Sequence, residues 1–264
     1  MMRAAAWAFM AVALLARAED AEPPPPFITT PEDVVERMLK LADTTAADLV
    51  VDLGSGDGRI PITAATKFGA HGLGIELDGH LVERSRENAR RAKVADRVAF
   101  VEGDVLQADF SKATVVTVYL LPSLIGKLQP RFIYELKPGT RIVSHSFTMA
   151  GWKPDRIETM HVSSAHPMQG GESTLYLWVV PAEVRGVWRG GGWQLRIDQS
   201  YEDIDIEGSA GGKPVSFAGA HIRGSDISWE AGGKRFRGRV AGSRIVGELE
   251  EDGKSAPLAL ERGR

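Results

Sequence analysis

The feature that most constrains this chain is a hydrophobic run that leads into a loop with a glycine at every second position. The run is Val50–Leu53, and the loop continues as Gly54-Ser55-Gly56-Asp57-Gly58. Glycine permits backbone conformations and close approaches that any Cβ would prevent, so such a loop can cradle a bulky ligand. A helix is predicted from Arg59, with a proline tolerated in its first turn. Strand, glycine turn and helix together form the front edge of a nucleotide-type binding site.

The residues that flank the loop discriminate between classes of ligand. The dinucleotide fingerprint needs a third glycine where this chain has Arg59, and the P-loop needs a Gly-Lys-Ser/Thr that does not follow here. Asp52 precedes the first glycine, and a carboxylate at that place would repel a pyrophosphate. It suits a cofactor with a cationic head and no phosphate. S-adenosylmethionine (SAM), which carries an ammonium and a sulfonium, has these properties.

Two further acids follow the next two predicted strands. Glu76 comes 20 residues after Gly56, the spacing at which a carboxylate accepts hydrogen bonds from both ribose hydroxyls. Asp104 follows the third strand, where a carboxylate could accept from the adenine amino group. Plain tight turns and solvated strand-end caps are the alternative interpretation, for Asp104 above all. The predicted SAM-binding residues are Thr30, Asp52, Gly54, Ser55, Gly56, Asp57, Gly58, Glu76, Asp104 and Val105.

With these motifs the chain resembles the seven-strand, Rossmann-type (class I) SAM-dependent methyltransferases between Phe27 and Val180. Within them it looks like the membrane-associated mitochondrial protein-lysine methyltransferases that modify the c subunit of ATP synthase and the adenine nucleotide translocase, and their bacterial relatives. It shares with these proteins the segments Phe27–Glu32, Asp52–Arg59 and Tyr119–Ser123. Leu136–Ser144 is also similar to the non-SET histone lysine methyltransferases. The resemblance implies a methyltransferase that acts on a protein lysine.

The order of the predicted elements indicates an α/β fold with a doubly wound, mostly parallel sheet of seven strands. After a helix that begins at Thr30-Pro31, with Thr30 as its N-cap, strands are predicted near 49–53, 72–77, 97–102, 114–120, 140–147, 156–163 and 173–180. Helices are predicted near 59–68, 79–93 and 123–136. The last two strands are expected to form an edge hairpin.

The composition changes after Pro181. The last third of the chain holds 16 of the 29 glycines, and its hydrophobic residues alternate with a period of two. This indicates a small antiparallel all-β domain, a meander that closes into a barrel or sandwich, with a structural or substrate-docking role. The predicted domain bounds are 30–180 for the methyltransferase domain and 184–264 for the β domain.

Acceptor residues are expected at the carboxyl ends of the fourth and fifth strands. Tyr119 is the predicted catalytic residue, because its hydroxyl could orient a lysine amine or its ring hold the cation before deprotonation. A buried strand tyrosine is the alternative. Leu120, Pro122 and His145 are the predicted substrate contacts, although Pro122 could instead only shape the turn. Thr30 is expected either to close over the methionine end of SAM or to act as a simple N-cap.

The N-terminus has the pattern of a secretory signal peptide in residues 1–18. Met1-Met2-Arg3 precedes an apolar run, Ala4 to Ala16, which is followed by the small-x-small site Ala16-Arg17-Ala18. A Pro-rich linker is predicted over residues 19–29. The expected location is therefore exported, periplasmic or membrane-associated; an uncleaved anchor and a mis-assigned start codon are the alternatives. Because SAM is made in the cytosol, either the leader holds the enzyme at a membrane or the cofactor is available where the enzyme is exported.

Charge and composition bear on the remaining classes of function. The net charge of −3 argues against a nucleic-acid partner that relies on a general basic surface. The six histidines are scattered and form no metal-ligand pair at helix spacing, so no metal is expected. Three hypotheses stay open from the residues: methylation of a protein lysine, methylation of a small molecule such as a polyamine or quinone-like metabolite, and a non-catalytic SAM-binding scaffold.

Overall fold

The computed structural model describes residues 28–166 and 170–263, and only the backbone of 163–166. The predicted signal peptide (1–18) and the linker up to residue 27 lie outside the described residues. Two sheets organise the described chain, one of seven strands followed by one of nine. Within the two described stretches, no helix has both the length and the apolar character needed to cross a bilayer.

The seven-stranded sheet alternates strands with helices along the chain. Its strands are β1 (Leu49–Leu53), β2 (His71–Glu76), β3 (Val98–Glu102), β4 (Val115–Val118), β5 (Arg141–His145), β6 (Arg156–His166) and β7 (Gly170–Val179). The helices are α1 (Glu32–Leu41), α2 (Arg59–Phe68), α3 (Gly79–Arg91) and α4 (Pro122–Glu135). The strand order is β3-β2-β1-β4-β5-β7-β6, in which the first five strands are parallel and β7 pairs antiparallel with β5 and β6. The predicted doubly wound sheet is confirmed.

The central strands are buried on both faces, as is usual for parallel sheets covered by helices. Val50 and Val115 belong to a core that includes the buried faces of α1 and α2. Their neighbours Val51 and Val116 point the other way, into a core built with α4. Helices therefore cover both faces, which leaves the two strand-end edges of the sheet as the places where loops can form a site.

A binding crevice is expected where the strand order changes direction, between β1 and β4. β1 pairs with β2 on one side and with β4 on the other, so the connections after β1 and β4 leave the sheet in opposite directions. In open α/β sheets a crevice forms outside the carboxyl ends of the strands at such a point. The glycine loop before α2 and the residues between β4 and α4 both lie at this edge.

The first helix begins at Glu32 and has no side-chain cap, which differs from the predicted N-cap at Thr30. Pro31 is the residue before the first helical turn. The Thr30 hydroxyl instead lies 3.2 Å from Nδ1 of His145, at the end of β5. A tertiary contact has thus displaced the local capping interaction that the sequence pattern indicates.

The second sheet is an antiparallel meander that curls around one core. Its strands are β8 (Gly186–Gly190), β9 (Trp193–Ser200), β10 (Asp203–Ala210), β11 (Lys213–Val215), β12 (Phe217–Arg223), β13 (Asp226–Ala231), β14 (Lys234–Ala241), β15 (Arg244–Glu251) and β16 (Lys254–Arg262). They lie in the order β11-β10-β9-β8-β16-β15-β14-β13-β12. Ile206 on β10 and Ile222 on β12 lie near opposite ends of this order and belong to the same core, so the sheet must curl. The predicted antiparallel all-β region is confirmed.

Candidate functional site

The glycines of the β1–α2 loop are required by backbone conformation and by close contacts. Gly54, Gly56 and Gly58 have φ angles of 78°, 54° and 80°, in the left-handed region that favours glycine. A Cβ on Gly54 would come within 2.7 Å of Leu120, and one on Gly58 would come equally near the ring of Phe100. The loop is therefore a cradle in which no side chain fits at these positions. Leu120, a predicted substrate contact, packs against it.

The start of the loop is tied to the end of β2. The N–H groups of Gly54 and Ser55 both donate to the carbonyl of Ile75, at 2.8 and 3.0 Å. A Cβ built on Gly74 would lie 2.5 Å from the Ser55 hydroxyl, so this side chain is turned onto β2. The Ser55 hydroxyl is buried and has no hydrogen-bond partner among the described residues. Ser55, predicted as a cofactor contact, therefore points its side chain into the sheet.

Asp52 lies beneath the loop as a buried carboxylate. Its Oδ1 accepts a hydrogen bond of 2.7 Å from the hydroxyl of Thr117 on β4. The pKa of Asp52 is raised to about 7, chiefly by burial and further by the negative charges of Glu76 and Asp57, while the Thr117 hydrogen bond opposes the rise. A cation bound nearby would favour the ionised form. This part of the crevice is therefore suited to a positively charged group.

Glu76, at the end of β2, has its carboxylate fixed by two backbone N–H groups. Oε2 accepts from Gly56 at 2.8 Å and Oε1 accepts from Asp78 at 3.1 Å. Each carboxylate oxygen keeps acceptor capacity for a ligand hydroxyl. These two hydrogen bonds fix the Glu76 carboxylate in an orientation in which its oxygens can also accept from two neighbouring hydroxyls. Its contact with a ribose stays a prediction.

The carboxylate of Asp57 is engaged by Arg59. Nε and Nη2 of Arg59 donate to the two Asp57 oxygens at 2.9 and 2.7 Å. Burial acts to raise the pKa of Asp57, but the hydrogen bonds and charge of Arg59 outweigh burial and lower this pKa. Nη1 of Arg59 also donates to the carbonyl of Thr30 at 2.8 Å. Arg59, predicted only as the first helical residue, therefore ties the segment before α1 to the loop.

Asp104 caps the turn that follows β3. Its Oδ1 accepts from the Leu106 N–H at 2.8 Å, and its Oδ2 accepts from the Gln107 amide at 3.2 Å. Val105 is buried in the core on the α4 side of the sheet. The capping alternative thus accounts for the observed bonds of Asp104, and a contact of Asp104 and Val105 with adenine stays a prediction.

Aromatic rings line the edge of the sheet after β4 and β5. The ring of Tyr119 lies 4.3 Å from that of His145 and 6.2 Å from that of Phe147, centroid to centroid. Burial raises the pKa of Tyr119 above its usual value, although a hydrogen bond with the Ser146 side chain opposes the rise. The phenol is therefore neutral at physiological pH. A neutral phenol can accept a hydrogen bond from an amine and orient it, but it is not a strong base.

His145 packs against the ring of Tyr119, and its predicted contact with a substrate stays a prediction. It is fully buried. Its Nδ1 is near the Thr30 hydroxyl, and its Nε2 lies 3.1 Å from the hydroxyl of Ser173 on β7. No local pattern could have found Ser173, because its meeting with His145 depends on the antiparallel pairing of β5 with β7. Pro122, also predicted to contact substrate, is exposed as the first residue of α4.

The described residues of the crevice fit SAM. The loop forms a cradle that a Cβ would fill, and beneath it Asp52 is a desolvated acid whose charge a cation would stabilise. Glu76 presents fixed acceptors at the neighbouring strand end. The cation nearest to the loop, Arg59, is already engaged with Asp57, so it is not free to bind a phosphate.

Comparisons with known proteins agree with this chemistry. Residues 52–156 match the family described as the ANTKMT methyltransferase domain. A protein-lysine N-methyltransferase of Saccharolobus islandicus is 39% identical over 156 residues, a match that covers 59% of this chain and 93% of that protein. A lysine N-methyltransferase of Xenopus laevis, named for the C subunit of ATP synthase, is 33% identical over 132 residues, which are 50% of this chain and 58% of that protein. The chain thus spans nearly all of the first relative and a little over half of the second.

A solved structure gives the same result for the fold and the cofactor. The crystal structure of an RNA methyltransferase from Salinibacter ruber, in complex with S-adenosyl-L-homocysteine, is 50% identical with a TM-score of 0.54. The match covers 60% of this chain and 96% of that chain. The match therefore includes nearly all of that chain and leaves about two fifths of the present chain unmatched.

Proposed function

This chain belongs to the family of SAM-dependent methyltransferases that includes the protein-lysine N-methyltransferases and the ANTKMT methyltransferase domain, and on that premise we propose that it methylates the side-chain amine of a protein lysine. SAM supplies the methyl group, already activated by its sulfonium. The protein therefore has to align the amine and exclude water, and alignment alone can contribute roughly 7–11 kcal/mol to lowering the barrier.

The observation that carries this proposal is the position of Tyr119 beside the cofactor cradle. Tyr119 comes directly after β4, and its chain neighbour Leu120 packs on Gly54, so Tyr119 belongs to the strand end beside the loop that would hold SAM. A lysine side chain arrives as a cation, and an aromatic face beside buried acids is a favourable place for it. After the ammonium has released its proton to solvent, the neutral Tyr119 hydroxyl can accept a hydrogen bond from the amine and direct its lone pair at the methyl carbon, with S-adenosylhomocysteine as the leaving group. Tyr119 thus supports an amine acceptor.

RNA is the second candidate acceptor, because the Salinibacter ruber protein is named as an RNA methyltransferase. RNA binding draws most of its affinity from lysine and arginine contacts with phosphates. The strand ends around this crevice carry Asp52, Glu76 and Glu102, and the whole chain has a net charge of −3. This acidic character favours a cationic acceptor over a polyanion.

Methyl transfer from labelled SAM into a whole-cell protein and RNA extract tests the proposal. We expect the label to be in protein, so that protease treatment releases it. Mass spectrometry should then identify the labelled residue as methylated lysine. Label released by ribonuclease would support RNA as the acceptor, and label in a small molecule would support the metabolite alternative.

A matched pair of tyrosine variants tests the role of Tyr119. Tyr119→Phe should lower turnover by roughly 10- to 100-fold while leaving SAM affinity unchanged, because only the orienting hydroxyl is lost. Tyr134→Phe is the control, since Tyr134 is 83% exposed on α4. Equal turnover in the two variants would exclude the Tyr119 hydroxyl from the reaction.

We also propose that residues 1–18 direct the enzyme to or across a membrane. The support is the sequence pattern alone, a short positive region followed by an apolar run and a small-x-small site. N-terminal sequencing of the mature protein should then begin near Glu19. An intact Met1 on protein from the soluble cytosolic fraction would reject export.

A further inference from the structure

We propose that the β9–β10 hairpin of the second sheet positions the acceptor side of the active site. Tyr201, at the tip of this hairpin, would hold the segment 146–155, whose first residues contact Tyr119. The segment links β5 to β6, and its position therefore affects the place where the acceptor amine must lie. This inference rests on the proposed function for its catalytic consequence, but its structural part can be tested without any acceptor.

The turn between β9 and β10 differs from every other two-residue hairpin turn of residues 186–262. Six of these seven turns contain glycine, whereas this one consists of Tyr201 and Glu202. Tyr201 has a φ of 57°, in the left-handed region that bulky side chains rarely adopt. Gly224 and Gly242 occupy the first position of the corresponding turns with nearly the same φ, 58° and 60°. Strain of this kind persists where the surrounding contacts require the side chain.

The side chain of Tyr201 contacts the segment between β5 and β6 and the helix α4. Its ring stacks on that of Trp152 with the centroids 5.2 Å apart and an angle of 6° between the planes. Its hydroxyl accepts a hydrogen bond of 2.8 Å from Nε2 of Gln129, on α4. The same Nε2 donates to the carbonyl of Ala150 at 2.8 Å. Tyr201 therefore contacts the segment 146–155 directly through Trp152 and indirectly through Gln129.

The first residues of the segment, Ser146 and Phe147, contact Tyr119. Ser146 has a φ of 73° and its side chain is hydrogen-bonded to Tyr119. The carbonyl of Phe147, whose ring stacks with that of Tyr119, accepts a hydrogen bond of 2.6 Å from the hydroxyl of Ser144. Strand residues thus hold the start of the segment, and the second sheet holds its middle.

A second contact from the second sheet fixes the end of the segment. Nε of Arg223 on β12 donates to Asp155 at 2.7 Å, and the other oxygen of Asp155 accepts from the Val179 N–H at 2.8 Å. With Tyr201 at the middle and Arg223 at the end, the second sheet contacts the segment at two places.

The test compares two substitutions that make the same backbone change. Tyr201→Gly removes the docking ring and relieves the strained φ. Asp252→Gly is the control, because Asp252 also has a left-handed φ, of 49°, in a two-residue turn, but its side chain is exposed. Hydrogen–deuterium exchange of peptides that cover residues 144–155 should increase by about tenfold or more in Tyr201→Gly, since a docked segment exchanges only when it opens locally. The control should exchange like the unchanged protein.

Activity and cofactor binding complete the test. In Tyr201→Gly the initial rate of transfer from labelled SAM to the protein extract should fall by about tenfold, because a misplacement on the order of 1 Å is enough to do so. The Kd of S-adenosylhomocysteine, measured by calorimetry, should stay within about twofold, because the cradle does not touch the hairpin. Unchanged exchange over 144–155 would overturn the inference whether or not the enzyme methylates lysine. A parallel loss of rate and of cofactor affinity would also overturn it, since that result indicates general destabilisation.

Discussion

Glycine and buried polar groups are used differently in the two sheets. In the seven-stranded sheet, Gly54 and Gly58 lie where a Cβ would collide with neighbouring side chains. In the nine-stranded sheet Gly242 and Gly253, at hairpin tips, have open space around them and serve the turn alone. Among the described residues, every buried polar or charged side chain belongs to the first 180 residues, and none belongs to the second sheet.

This difference indicates that the first sheet carries the binding and catalytic groups and that the second sheet supports them. A buried Asp52 or His145 costs folding free energy unless it is paired or hydrogen-bonded, so such groups are expected where function requires them. The second sheet has an apolar core under a charged exterior, which is the arrangement of a scaffold. The comparison predicts that substitutions in the first sheet alter binding and catalysis, whereas those in the second alter stability alone, apart from the Tyr201 turn and Arg223.

The largest effect is expected from Glu76→Ala. The change removes an acceptor pair for the ligand and leaves the Gly56 N–H without its partner. Two charge-assisted hydrogen bonds correspond to about 3–6 kcal/mol, so SAM affinity measured by calorimetry should fall by roughly 100-fold or more. Glu83→Ala, on the exposed side of α3, is the control. A retained affinity in Glu76→Ala would refute the site.

Gly58→Ala and Gly242→Ala compare the two uses of glycine directly. Both positions have a positive φ, of 80° and 60°, which costs an alanine about 1–2 kcal/mol. Only Gly58 has neighbours that a Cβ would strike, which should add about 1–3 kcal/mol of overpacking. Thermal unfolding should therefore show a clearly larger loss for Gly58→Ala. Equal losses would mean that the loop is an ordinary turn.

The pH dependence of cofactor binding should report Asp52. Because the pKa of Asp52 is raised to about 7 in the folded protein, the free enzyme holds this group partly protonated near neutral pH. Binding of a cation requires the ionised form, so SAM affinity should rise by about tenfold between about pH 6 and pH 8. Asp52→Asn, which can still accept from Thr117, should bind more weakly at the higher pH and show no such rise.

The same group has an opposite effect on the stability of the free enzyme. A raised pKa stabilises the fold at low pH, and this contribution is lost as the pH rises through about 7. Without ligand, Asp52→Asn should therefore unfold at a higher temperature than the unchanged protein above that pH. An identical pH profile for the two proteins would show that Asp52 does not titrate there.

The smallest effect is expected on the outer face of the second sheet. Arg235 on β14 pairs with Glu230 at 3.0 Å, and both side chains are about half exposed. Arg235→Ala should change the free energy of unfolding by less than about 1 kcal/mol and leave methyl transfer unaltered. A large effect on transfer would assign this face a role that a scaffold does not have.

The glycine loop, Asp52 and Glu76 could be predicted because their signals are local. A strand, a loop and an acid at a spacing of 20 residues are enough to place the carboxylate at the end of β2. Asp104 shows the limit of such reasoning, because an acid after a strand fits a ligand contact and a turn cap equally well. Its observed bonds lie within its own turn.

The contacts that organise the acceptor side could not be predicted because they join distant parts of the chain. Thr30 meets His145 across 115 residues, and His145 meets Ser173 only through the pairing of β5 with β7. No motif in the sequence marks Tyr201, and its contact with Trp152 depends on how the two sheets pack. These contacts therefore depend on tertiary packing, which local sequence patterns do not specify.

The measurement that tests the central claim most directly is the identification of the methylated product. After incubation of a whole-cell extract with SAM and the enzyme, mass spectrometry of the digested protein should find added methyl groups on lysine side chains. The modification should disappear when Glu76→Ala replaces the unchanged enzyme. Methyl groups found only in RNA or in a small molecule, with every protein lysine unmodified, would contradict the account.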